Sequence, residues 1–264
     1  MLIEKFSAPK ADPELMEDFV VDTPAYYGVI DGATAFSGPL YDGVAGGRLV
    51  GATILEALHE DEEPRDGVAL VEHLSAAVRE RLSGYETGSL SRPNASFAVY
   101  TRGTRTITRV GDVGFSIAGR VDTVEKAIDV LLSEVRSTYI HLLLAEGRNH
   151  AEALKAGRDL IEPVIARQHR FQNIVQSPYG HGCINGDCVP CEFVTVEHVT
   201  AGSEVIIASD GYPLIRDTLS ASEDALSRAL EADPLCIGAL KSTKGFDASK
   251  QNSFDDRAYI RFVA

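Results

Sequence analysis

The sequence repeatedly runs from apolar residues straight into an acid. YYGVIDG (26–32) and EVIIASDG (204–211) both stop on Asp-Gly, and TITRVGD (106–112) stops on Asp112. LMEDFVV (15–21) and SFDDRAYI (253–260) instead start from Glu17-Asp18 and Asp255-Asp256. Such runs, rich in Val, Ile and aromatics, read as strands. A single acid at a strand end is ordinarily a turn or strand cap, because Asp and Gly favour turns. Several of them together offer oxygen ligands on rigid elements, which hard divalent ions such as Mg²⁺ and Mn²⁺ require. Two such ions close together can activate a water for phosphoryl hydrolysis.

The remaining pattern constrains the architecture. Strands are expected at 18–22, 26–31, 95–102, 105–112, 114–121, 191–199, 203–212 and at the C-terminal DRAYIRFVA. Helical spacing of apolar residues predicts helices over 43–59, 67–83, 123–146, 150–170, 221–231 and 234–241. Helices come in pairs between groups of strands, without the strict alternation of a Rossmann-type sheet. Antiparallel strands with helices packed outside them suit this order, giving an α+β class. No linker or repeat divides the chain, so one domain is expected over 1–264, with 123–190 as a helical insertion or flap.

Charge narrows the partners. The 264 residues carry 25 basic and 39 acidic side chains, a net −14. That balance argues against non-specific nucleic-acid binding, whereas an acidic chain can still handle phosphate through metal ions. No apolar run approaches the roughly 20 residues of a membrane helix, and MLIEKFSAPKADPEL lacks the apolar core of a secretory signal. A cytoplasmic protein with no membrane partner is therefore expected. Its four cysteines are too few for a disulfide scaffold. His181, Cys183, Cys188 and Cys191 in HGCINGDCVPC offer zinc-ligand chemistry, but the two separated pairs of a usual zinc site are missing. A loop carrying reduced thiols is the favoured reading.

Taken in order, MED…YYGVIDG…RVGD…EVIIASDG…FDDRAYIRF resembles the metal-dependent protein phosphatases of type 2C, the PPM family. The resemblance runs from about residue 14 to the C-terminus. It implies a four-layer α-β-β-α sandwich with two antiparallel sheets. It implies that Asp31 bridges two Mg²⁺ or Mn²⁺ ions, that the Gly32 carbonyl ligates one, and that Asp210 and Asp255 complete the other. Glu17 and Asp18 would hold metal-bound waters, and Asp112 would belong to a third, weaker ion site near Asp210. A metal-bridging hydroxide would attack phosphoserine, phosphothreonine or a related phosphomonoester in line. On this reading Asp31, Asp210 and Asp255 carry the catalysis.

The sequence also departs from that pattern. Family members commonly place an Arg four residues before the first Glu, to hold the substrate phosphate; here that position is Pro13. Lys10 is near but out of register, and Arg48, Lys241 and Lys244 are the candidate replacements. The His of DGHGG is absent, since Ala33 and Thr34 follow Gly32. VIDGAT also has a likeness to haloacid-dehalogenase-type phosphatases, but their nucleophile would fall on Val29, which cannot attack. The alternative function is a catalytically weak or inactive regulatory protein on the same fold. The acids favour the enzyme and the missing Arg favours the regulator.

Overall fold

The computed structural model describes residues 1–34, 38–85 and 92–264. Ten strands form two five-stranded sheets. The first joins β1 (Leu2–Ala8), β10 (Arg257–Val263), β9 (Glu204–Ala208), β6 (Gly114–Ile117) and β7 (Arg120–Asp122) in that order. The second joins β2 (Asp18–Asp22), β3 (Tyr26–Ala33), β4 (Asn94–Thr101), β5 (Thr106–Val110) and β8 (Val194–His198). Every pairing is antiparallel. The expected α+β class with two antiparallel sheets is what the chain adopts.

Strand alternation explains the layers. In β3, Tyr26 and Ile30 pack with Leu49, Ile54 and Leu58 of α1 (Gly46–Glu60) and with Leu70, Leu74 and Val78 of α2 (Gly67–Leu82). Tyr27 and Val29 point the other way, into a core shared with Phe115, Val205, Ile207, Ile260 and Phe262 of the first sheet. Side chains of a strand alternate between faces, so the next residue on the inter-sheet face is Asp31. The apolar layer between the sheets thus gives way to a carboxylate at one end. On the other face of the first sheet Ile206, Ala208 and Tyr259 pack with Leu219, the start of α5 (Leu219–Ala232), while α3 (Ala127–Ala145) and α4 (His150–Ile165) pack on each other as a hairpin.

Three details differ from the sequence reading. Leu2–Ala8 is an edge strand, with alternately half-buried and exposed residues. The stretch 114–121 is two strands, β6 and β7, turned at Ala118 and Gly119, both at positive φ. The expected helix at 234–241 is absent. Its backbone bonds go elsewhere: the Asp233 carboxylate accepts from the backbone N–H groups of Ile237, Gly238 and Leu240. The Arg136 guanidinium donates to the carbonyls of Leu235, Cys236 and Ser242. Among the described residues no helix is long and apolar enough to cross a membrane.

Candidate active site

The sheet topology brings the acids to one end of the sandwich. Asp18 opens β2 and stands directly opposite Asp31 near the end of β3. Asp210 follows β9 and Asp255 precedes β10, and these two strands are neighbours in the first sheet. Asp112 sits where the chain crosses from β5 to β6, between the sheets. All five line one cleft of about 550 Å³, together with Glu17, Gly32 and the lysines Lys10, Lys126 and Lys244.

Close backbone approach shapes the floor. A Cβ on Gly32 would lie 2.4 Å from the Gly47 carbonyl oxygen and 2.8 Å from that of Glu17, so only glycine lets β3 meet α1 there. The Gly32 N–H donates to the Glu17 carbonyl. The Glu17 carboxylate accepts from the Thr34 hydroxyl, which in turn accepts from Gly47 N–H at 2.9 Å. Asp256 is a clasp rather than an open acid: its two oxygens accept from the backbone N–H groups of Lys10 at 2.7 Å and Glu17 at 3.1 Å. That bond set ties the start of β10 to the segment entering β2 and leaves Asp255 as the carboxylate facing the cleft.

The acids are not electrostatically alike. Burial, then the Asp255 charge, hold the Asp18 carboxyl well above the usual range. Burial, then Asp18, do the same for Asp31. Enclosure and the Asp255 charge raise Asp210 to about 6, although water reaches it at the rim. Burial also raises Glu17. Burial would raise Asp112 and Asp255 as well, but lysines more than offset it. Lys126 Nζ lies 2.7 Å from Asp112 Oδ2. Lys244 and Lys10 both pair with Asp255, Lys10 at 3.3 Å.

Residues this charged suit a cation. The buried Asp18 Oδ2 has no hydrogen-bond partner, and buried carboxylates need a compensating charge. Among the described residues no group of three or more His, Cys, Asp or Glu side chains already stands in ion-holding geometry. Lysines instead pair with two of the acids, Lys126 with Asp112 and both Lys10 and Lys244 with Asp255. The donor set fits hard divalent ions because every member is an oxygen.

The catalytic domain of the serine/threonine protein phosphatase PstP, solved with two manganese ions, superposes on this chain with a TM-score of 0.50. It shows 14% identity and covers 99% of this chain and 97% of that one. A bacterial serine phosphatase also matches with a TM-score of 0.50, at 10% identity, covering 98% of this chain and 95% of that one. This chain has the PPM phosphatase fold. No family model and no curated protein matches it.

On the PPM fold, the resemblance gives Glu17, Asp18, Asp31, Gly32, Asp112, Asp210 and Asp255 as the site, and the cleft brings all seven together. The candidate replacements for the missing Arg separate. Arg48 donates to the Met16 carbonyl and covers the Phe19 ring. Lys241 pairs with Glu134. Lys244 reaches the cleft acids directly. Sequence reasoning misses Lys126 altogether, because it reads as the first turn of a long helix. The lone signal is a Lys just ahead of an apolar run, where a helix start ordinarily favours an acid.

The cysteine segment contributes no side chain to the cleft wall, although the Lys126 and Asp112 charges reach His181 and Cys183. Cys183 is buried, and burial pushes its thiol up to about 12, while Cys188 and Cys191 are exposed. The Asn173 side chain pairs with both the N–H and the C=O of Cys183 at 3.0 Å, and Ile184 bridges to Ala95 of β4. The segment packs a loop onto the second sheet. All four cysteines are free thiols.

Proposed function

We propose that this chain is a Mg²⁺- or Mn²⁺-dependent phosphatase acting on phosphoserine, phosphothreonine or a related phosphomonoester. The observation that carries this reading is the convergence of Asp18, Asp31, Asp210 and Asp255 from both sheets on one cleft, with Asp18 Oδ2 buried and unpartnered. Asp31, the Gly32 carbonyl, Asp210 and Asp255 would hold the ions, with Glu17 and Asp18 as outer acceptors. When bound, such ions supply a hydroxide nucleophile near neutral pH and neutralise charge on the transferring phosphoryl group.

The chain's own residues then do the rest. The acids sit on strand ends braced by both sheets, so their positions are fixed before substrate arrives. Lys244 and Lys10 line the cleft and give the dianionic phosphate a local positive field within an acidic protein. Lys244 takes the role of the phosphate-holding Arg, with the planar fork of Arg replaced by a single ammonium. The Arg136 and Arg158 side chains grip the carbonyls of Ser242 and Thr243, immediately before Lys244, and so set where it starts. The α3/α4 hairpin forms the wall that a peptide substrate would meet.

Calorimetric titration with Mn²⁺ tests the reading. Wild type should bind, and Asp31→Asn should weaken binding sharply. Equal binding in both would remove Asp31 from the site. A second reading, an inactive regulator on the same fold, draws on one observation: Lys244 and Lys10 already neutralise Asp255. It predicts no Mn²⁺ binding at all.

A further inference from the structure

Asp112 is fully engaged by protein groups. Gly111 has φ +88, and a Cβ there would lie 2.2 Å from Ser96 Oγ, so the turn brings the chain close against β4. That approach lets Ser96 Oγ donate to Asp112 Oδ1 at 2.6 Å. The other oxygen, Oδ2, lies 2.7 Å from Lys126 Nζ. The two side chains are only 10% and 16% exposed, so water screens the pair little. Lys126 is the N-cap of α3, and Asp129 follows one turn later on the same cleft wall.

Lys126 is also held in place. Its helix is anchored through Arg136, which is wholly buried and bonded to three backbone carbonyls of the 235–242 segment. An ammonium and a divalent ion on the same carboxylate would repel. In so poorly screened a site the repulsion between like charges is strong, and the double charge of the ion deepens it. Asp112 can serve one cation or the other.

We propose that Lys126 is a built-in cation that takes the place of a third metal ion at Asp112. The proposal rests on the phosphatase reading above. The cleft then binds two ions, and the positive charge beyond them is covalently supplied. One N–H of the ammonium goes to Asp112, and its remaining donors are available to the oxygens of a phosphate in the cleft. Lys126 is a positioning residue with respect to the ions, and its replacement by a neutral side chain should open a metal site rather than merely weaken the protein.

Counting bound Mn²⁺ by calorimetry on the full chain tests this. Wild type should bind two ions and show no third transition on adding excess Mn²⁺. Lys126→Met should gain a third, weak site, and Lys126→Met/Asp112→Asn should lose it again. Lys126→Arg keeps the charge and should stay at two ions, which guards against a folding defect in the Met variant. With an aryl phosphate, Lys126→Met should fall by roughly a hundredfold at low Mn²⁺ and recover with excess Mn²⁺, whereas wild type should not respond to the excess. Three ions in wild type, or no added site in a folded Lys126→Met, would overturn the proposal. Two ions without turnover in wild type would end the phosphatase reading and leave the count assigned to Lys126 standing. No bound ion in wild type would overturn both.

Discussion

Asp18 and Asp31 stand directly opposite each other on neighbouring strands, both facing the end of the inter-sheet layer. Like charges so placed are mutually destabilising, and burial makes each worse. Asp31→Asn should therefore raise the stability of the metal-free protein by about 1 kcal/mol or more while costing it Mn²⁺ affinity. Thermal melts with and without Mn²⁺ read both effects. A lower melting temperature of the metal-free variant would show that the pair is not in repulsion.

The same acids set a pH dependence. Asp18, Asp31 and Asp210 have raised carboxyls, so the fold favours their protonated forms. The stability they contribute is full below the unfolded value near 3.8 and is lost as pH rises through their folded values, about 6 for Asp210. Asp112 and Asp255 are lowered, have the opposite sign, and weaken the fold only as pH falls below about 3.8. The metal-free protein should thus lose melting temperature from pH 4 towards 7, and Mn²⁺ should abolish the loss. Asp210→Asn should flatten part of the slope, a modest part because water reaches Asp210 at the rim. A slope unchanged by either Mn²⁺ or the substitution would contradict the assignment.

Arg136 links the hairpin to the cleft. Replacing it with Met leaves three carbonyls of the 235–242 segment without their donor, a loss of about 3 kcal/mol. The segment that positions Lys244 should loosen with it. Chemical denaturation of Arg136→Met, together with protease cleavage near 235–244, measures this. Wild-type stability would show that the segment is held by its apolar contacts alone.

The open end of the α3/α4 hairpin lines the cleft through Val130 of α3 and Ile165 of α4. Replacing the exposed Val130 with Glu should change turnover of a phosphopeptide and spare a small aryl phosphate. Equal loss on both substrates would place this face in the chemistry instead of substrate choice.

Much of this arrangement is legible in the sequence, for a physical reason. A strand that stops on Asp-Gly announces both its end and its acid, so Asp31 and Asp210 can be read directly, and the order of the motifs supplies Glu17, Asp18, Gly32, Asp112 and Asp255. The partners of those acids are not legible, because they arrive from elements distant in sequence. Lys126 belongs to a helix start and Lys244 to a loop. That loop is itself misread, since Leu235, Ile237 and Leu240 give helix-like spacing while Asp233 and Arg136 capture the backbone groups a helix would need. Edge strand β1 is hidden because its burial alternates while its residue types do not: Ile3 lies on the exposed side and Glu4 on the half-buried one.

The most direct test is steady-state hydrolysis of an aryl phosphate by the full chain over a Mn²⁺ series, comparing wild type with Asp31→Asn. The account predicts turnover that requires Mn²⁺ in wild type and falls by at least about a hundredfold in the variant. Mn²⁺-independent turnover, turnover shared by both proteins, or none in a wild type that binds Mn²⁺ would contradict it.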